Sequence, residues 1–217
     1  EALQCPTLMV NGFGAHRIEG IGDKHVPWIH NIKNTDMIMA IDDEATMSLI
    51  RLFNEPAGQA YLANQGVPSS LIQSLPLLGI SGVANLLSAI KFARYYELGD
   101  HDVVLTVLTD SMEMYTSRLR ELTEERGEFQ TSDAVAAYHR YLLGQTIDYV
   151  EELTYYSRKR VHNLKYYTWV EQQGKTSEEL QDQWYRPDYW TAIQRQTDAI
   201  DELIVAFNER TGLIKTL

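Results

Sequence analysis

The sequence predicts an α/β chain, with parallel strands and covering helices over residues 1–125 and a mostly helical extension over 126–217. Two observations carry this expectation. Short apolar runs at Thr7–Val10, Met37–Ile41, Leu77–Ile80 and Val103–Leu108 alternate with stretches of helical periodicity, the order of a parallel layer with crossover helices. Beyond Arg126–Gln130 the composition changes: residues 121–217 hold nine of the thirteen tyrosines and three of the four tryptophans, and read as helix almost throughout.

Taken in order, Thr7–Val10 reads as a short buried strand, broken by Asn11-Gly12-Phe13-Gly14. Met37–Ile41 is a second apolar run. Asp42-Asp43-Glu44 then supplies an N-cap and an acidic first turn for a helix to Phe53, with Met47, Ile50 and Leu52 inward. Leu77–Ile80 is a third run, and Leu86, Leu87, Ile90 and Ala93 line one face of a helix stopped by Gly99-Asp100. Val103–Leu108 is the strongest strand, β-branched and apolar on both faces as a helix-covered parallel strand would be. Asp110 and Glu113 have capping-pair spacing for a helix through Leu122. Thr131–Arg160 reads as helix from Ala134, Ala137, Tyr138, Tyr141, Leu142, Ile147, Val150 and Leu153. Thr176 and Glu179 cap a short helix, and Pro187 precedes a last one with Ile193, Ile200, Leu203, Ile204 and Phe207 in a stripe.

Charge and cysteine content narrow the function classes. A net charge of −11 repels nucleic-acid backbones and anionic membranes, so neither is an expected partner. The single cysteine, Cys5, cannot form an internal disulfide, which agrees with a reducing, cytoplasmic setting. No apolar run of about 18 residues or signal-like start is present. Glu1 stands where an initiator methionine is expected, so a processed or truncated chain is anticipated.

Three segments occur in a telling order: His16-Arg17-Ile18-Glu19-Gly20-Ile21-Gly22 with Val26-Pro27; Gly79-Ile80-Ser81-Gly82-Val83-Ala84-Asn85 opening a helix; and Val103–Leu108 running into Thr109-Asp110-Ser111, with Tyr115 beyond. Over about residues 1–120 this resembles the C-terminal part of the large domain of fold-type II pyridoxal-phosphate (PLP) enzymes, the group of cysteine synthase and cystathionine β-synthase. Family counterparts read roughly Lys-Ile-Gln-Gly-Ile-Gly, Gly-Ile-Ser-Ser-Gly-Ala-Asn and Leu-Pro-Asp-Ser. This sequence departs at Gly82-Val83 and at Thr109, where the family commonly has Ser-Gly and proline. The resemblance implies part of a parallel three-layer sheet domain and an amino-acid lyase or transferase working by β-elimination or β-replacement.

It also implies that the Schiff-base lysine and the phosphate loop lie outside this chain. None of Lys24, Lys33, Lys91, Lys159, Lys165, Lys175 and Lys215 sits in the family's Ser-Val-Lys context. The chain is therefore expected to be inactive alone, with its missing N-terminal half or a complementary subunit as partner, a small amino acid as substrate, and identical chains oligomerising.

By the same resemblance Ser111 faces the cofactor's ring nitrogen, with Asp110 exchanged for it by a one-residue slip. A hydroxyl there suits elimination and replacement chemistry without a fixed negative charge. A plainer reading has Ser111 only capping a helix. Gly20, Ile21 and Gly22 would pass close to the cofactor, as glycine backbone allows, or form a simple turn. Ser81 and Gly82 open a helix whose N-terminus would favour a substrate carboxylate. The histidines 16, 25 and 30 with Asp23 fit no zinc spacing, so no metal is expected. The competing expectation is a non-catalytic α/β binding or assembly protein that docks a partner through its helical tail.

Overall fold

A computed structural model of the chain describes residues 1–212, of which Lys215 is therefore not one, and is 59% helix and 4% strand. This overturns the expected parallel three-layer sheet. The sheet among the described residues has two strands, β1 (Met37–Met39) and β2 (Val150–Glu152), paired antiparallel with Met37 opposite Glu152 and Met39 opposite Val150. Parallel pairing is confined to one bridge, Ala2 to Ile41. The chain forms two compact units, Glu1–Lys24 with Asp36–Thr154, and His25–Thr35 with the chain from Tyr155 onward. The composition shift near Arg126–Gln130 falls inside the first unit.

The first unit is built around α2 (Asp43–Asn54). Asp42 accepts the Glu44 amide with its side chain, as its place before the apolar stripe predicts, and Met47, Leu49, Ile50, Leu52 and Phe53 fill the core. Against α2 pack α3 (Pro56–Asn64), opened by proline at its first position, and α5 (Ile80–Tyr95). Between them lies α4 (Ser69–Ser74). α6 (Thr116–Arg126) and α7 (Thr131–Ala137) contribute Leu122, Ala134 and Ala137 to the same core. α7 continues as a π-helical turn, Tyr138–Leu143.

Each misread segment of this unit has a local cause. Thr7–Val10 is a one-turn helix, α1, rather than a strand. Pro6 precedes it, Asn11 ends it in the left-handed region at φ 61°, and the Glu1 carboxylate accepts the Leu8 and Met9 amides at 2.9 Å each. Leu77–Ile80 splits between a 3-10 turn around Pro76 and the start of α5. Val103–Leu108 joins no sheet, and Val103 and Leu105 are 91% and 93% exposed. The helix expected through Arg160 stops at Leu143: Gly144 follows, Tyr149 takes φ 53°, and Val150–Glu152 pairs with β1 instead.

In the second unit, α8 (Tyr155–Asn163) packs on the Ile32–Asn34 turn, and a π-helical turn spans Tyr166–Val170. α9 (Ser177–Tyr185) starts where predicted, with the Glu179 amide donating to Thr176 Oγ1 at 3.0 Å. At the centre Lys165 is fully buried, its ammonium donating to the carbonyls of Trp28 (2.9 Å) and His30 (2.6 Å) and to Gln183 Oε1 (2.8 Å). Burial lowers it to about 7. The expected last helix is two, α10 (Tyr189–Gln194) and α11 (Thr197–Thr211). The stripe Ile200, Leu203, Ile204 and Phe207 on α11 is exposed, between 49% and 69%. Among the described residues no single helix is long and apolar enough to cross a membrane.

Candidate functional site

The site candidates of the first unit gather around the beginning of α5. Residues 16–22 are pinned from below by α2: the Arg17 amide donates to Asp43 Oδ2 at 2.5 Å, and Ile18 is fully buried. On the outer side Arg17 pairs with Glu125 at 3.0 Å and Glu19 with Arg118 at 2.6 Å. His16 Nε2 lies 2.7 Å from the Gly22 carbonyl, so this ring nitrogen is the donor. His16 Nδ1 and Asp43 Oδ1 are both buried without a hydrogen-bond partner. Burial also pushes the Asp43 carboxyl above its ordinary range.

Gly20 and Gly22 adopt φ +85° and +93°, backbone that side chains avoid. Gly20 also faces Ser81: a Cβ there would meet Ser81 Cβ and Oγ at 3.6 Å, an ordinary van der Waals contact. The Gly20–Gly22 loop with Cys5, His16 and Lys24 borders an open cleft of about 460 Å³.

The Gly79 amide donates to the Asp110 carbonyl at 2.9 Å, fastening the end of the Val103–Leu108 segment to the start of α5. The first helical bond runs from the Val83 amide to the Gly79 carbonyl at 3.0 Å. The amides of Ile80, Ser81 and Gly82 therefore have no backbone acceptor, as at any helix start, and here Ile80 is fully buried and Ser81 95% buried. The Asp110 carboxylate lies against Gly79, where a Cβ would collide with Oδ1, and so sets an internal negative charge at the positive end of α5.

From that carboxylate a chain of hydroxyls runs inward. Tyr115 donates to Asp110 Oδ2 at 2.5 Å and Thr109 to Asp110 Oδ1 at 3.2 Å. Thr109 has only one proton, so Ser81 must donate to Thr109 Oγ1, at 2.7 Å. The hydrogen bond to Asp110 raises Tyr115 to about 12 and keeps it protonated.

The three motif segments are thus brought together: Gly20 on Ser81, Ser81 on Thr109, Asp110 on Gly79. The expected Asp110–Glu113 cap does not form. A 3-10 turn, Met112–Tyr115, comes first, and Asp110 serves α5 and Tyr115 instead. Ser111 is half-buried before that turn, and its hydroxyl caps nothing. Gly82 is buried, with Leu78 and Leu108 as the neighbours a Cβ would meet. Ile21 is half-buried against the core and lines the cleft. Thr109 and Tyr115 are members that the sequence reading left without a role. Their signal was a hydroxyl on either side of Asp110-Ser111 at short range.

The lysines are placed otherwise. Lys24 alone among them lines the cleft; Lys91 is bound to the Asp148 carbonyl and carboxylate at 2.6 and 2.7 Å. Lys33, Lys159, Lys165 and Lys175 belong to the second unit. Set against known proteins, the chain matches no family model, no curated protein and no solved structure.

Chemically, the cluster offers buried helix-start amides, a polarised hydroxyl chain, glycine backbone open to close approach, and one uncommitted hydroxyl on Ser111. The cluster itself includes no lysine.

Proposed function

We propose that the first unit supplies part of the site of a PLP-dependent amino-acid lyase or transferase of the cysteine-synthase-like type, acting by β-elimination or β-replacement. The observation that carries the reading is the convergence of residues 20–22, 79–82 and 109–111, far apart in sequence, on the start of one helix of sixteen residues. In this reading Ser111 hydrogen-bonds the cofactor's ring nitrogen, and Gly20–Gly22 lie along its face. The amides of Ser81 and Gly82 attract the amino acid's carboxylate. Bound PLP would supply the electron sink, while the chain's residues orient and hold protons. Asp110 is already committed to Gly79 and Tyr115, which leaves Ser111 as the ring-nitrogen partner of the two.

The anchoring lysine and phosphate loop then lie outside these 217 residues, on a missing N-terminal half or a complementary subunit, and residues 1–217 alone are inactive. The cytoplasm is the proposed setting, supported by the single cysteine, unpaired and buried. Assembly through the tail is a second reading, favoured by the exposed apolar stripe of α11, and identical chains would associate there.

Native mass spectrometry of protein from its own source, after borohydride reduction, tests the proposal. A larger polypeptide or a tight partner, with the PLP mass on a lysine outside residues 1–217, is the expected result. A stable assembly of this chain alone, without cofactor, refutes it.

A further inference from the structure

We propose that Val103–Leu108 is a docking edge for an apolar β-strand with basic flanks, presented by the complementary polypeptide. This names the partner's chemistry within the preceding reading, and it rests on that reading only for who the partner is.

The segment Val-Val-Leu-Thr-Val-Leu has the β-branched, apolar composition of a strand buried on both faces. Yet it is in no sheet, and among the described residues none of its amides has a backbone acceptor. Val103, Leu105, Val107 and Leu108 are 91%, 93%, 65% and 53% exposed. Unpaired, strand-forming backbone of this kind is a template for another strand. Alongside it runs an apolar groove of about 400 Å³, lined by Met39, Ala89 and Phe92 together with residues 103–106. One end is fixed to the body of the unit by the Asn85 side-chain amide, which donates to the Val107 carbonyl at 2.8 Å, and by the Gly79–Asp110 bond.

Charge selects the occupant. Asp100 and Asp102 precede the segment and Asp110 follows it. A second copy pairing antiparallel would bring Asp102 beside the other copy's Asp110, within an assembly of chains that each carry −11. Like charges at both ends oppose self-pairing, and lysine or arginine at both ends of a foreign strand relieves them.

The test is amide hydrogen–deuterium exchange of the full chain with the synthetic peptide Lys-Lys-Val-Thr-Val-Ile-Val-Lys, against the same core flanked by glutamates. The lysine peptide should slow exchange at 103–108 about tenfold or more at saturation, and the glutamate peptide should not. Asp100→Lys should weaken the lysine peptide about threefold or more. Successive amides of a strand point to opposite edges, so one of Leu105→Pro and Thr106→Pro must abolish the protection.

Absence of protection, equal binding of both peptides, insensitivity to both proline variants, or slow exchange already in the free chain would each overturn the proposal. No cofactor enters this readout. Protection without any PLP-bearing companion would leave the docking edge standing and remove only the cofactor reading.

Discussion

Replacing His162 with glutamine should flatten the acid limb of the second unit's stability. His162 is 98% buried on α8, its Nε2 donating to the Leu180 carbonyl at 2.9 Å and its ring 5.1 Å from that of Trp184. Burial lowers its folded-state pKa to about 4, against an ordinary 6.5. Between these values the unfolded chain takes up a proton that the folded one refuses. The His162 contribution is therefore fully present above pH 6.5 and is lost as pH drops towards 4. At 1.36 kcal/mol per unit the loss is about 2 kcal/mol by pH 5 and about 3 kcal/mol by pH 4. All four tryptophans, 28, 169, 184 and 190, lie in this unit, so their emission during urea titration reports it selectively. The wild-type midpoint should drop by about 1 M urea between pH 7 and 5. His162→Gln keeps a donor for Leu180 but cannot titrate. Its midpoint, lower at pH 7 by the lost ring packing, should therefore fall clearly less than the wild type's over the same range, the remainder coming from His30 and Lys165. An equal acid drop in wild type and variant would refute the reasoning.

Lys165 is a buried base like His162, cationic when protonated, and acts in the same direction. Folded at about 7 and unfolded near 10.5, it should make the second unit more stable as pH rises through that window, and Lys165→Met should abolish the rise in the same urea titration. Gly22→Ala should cost about 1–3 kcal/mol, and more than Gly66→Ala, in thermal unfolding. Both sit at positive φ, but only at Gly22 does a Cβ strike the His16 ring, while nothing lies within 4 Å of one at Gly66. Tyr115→Phe should cost about 1–3 kcal/mol by leaving Oδ2 of the half-buried Asp110 carboxylate without its donor, Thr109 remaining on Oδ1. Ser111→Ala should leave unfolding of this chain within about 0.5 kcal/mol of wild type, yet alter the cofactor spectrum and turnover of the complete assembly. Unchanged spectrum and turnover would remove Ser111 from the ring nitrogen.

Local signals were legible in the sequence where the physics is local. Asp42 and Thr176 cap the helices that they were expected to cap, and the apolar stripe of α2 faces the core, because capping and periodicity depend on neighbours within a turn or two. Val103–Leu108 was misread because composition reports how a segment would suit a sheet, not whether strands exist to flank it. Met37–Met39 illustrates the same gap from the other side. It is a strand as expected, but its ladder partner is Val150–Glu152, a stretch that apolar spacing alone had assigned to a helix. Gly144 was the one local mark of that break in the sequence, and the spacing of Ile147, Val150 and Leu153 was followed instead; the left-handed turn at Tyr149 is visible only in the structure.

The site follows a similar division. That Gly20, Ser81 and Asp110 belong together came from the order of three motifs, and their meeting at the start of α5 does not require the sheet from which they were expected to project. What draws them together is accounted for locally: Asp43 holds residues 17–18, the Asp110 carbonyl and carboxylate hold Gly79, and one hydroxyl chain joins Ser81 to Tyr115. Those bonds engage Asp110, Thr109 and Tyr115 and leave the half-buried Ser111 hydroxyl without a protein partner beside them. Ser111 is for that reason the residue through which the proposed function is most directly tested, because its loss should change the cofactor spectrum without changing the fold.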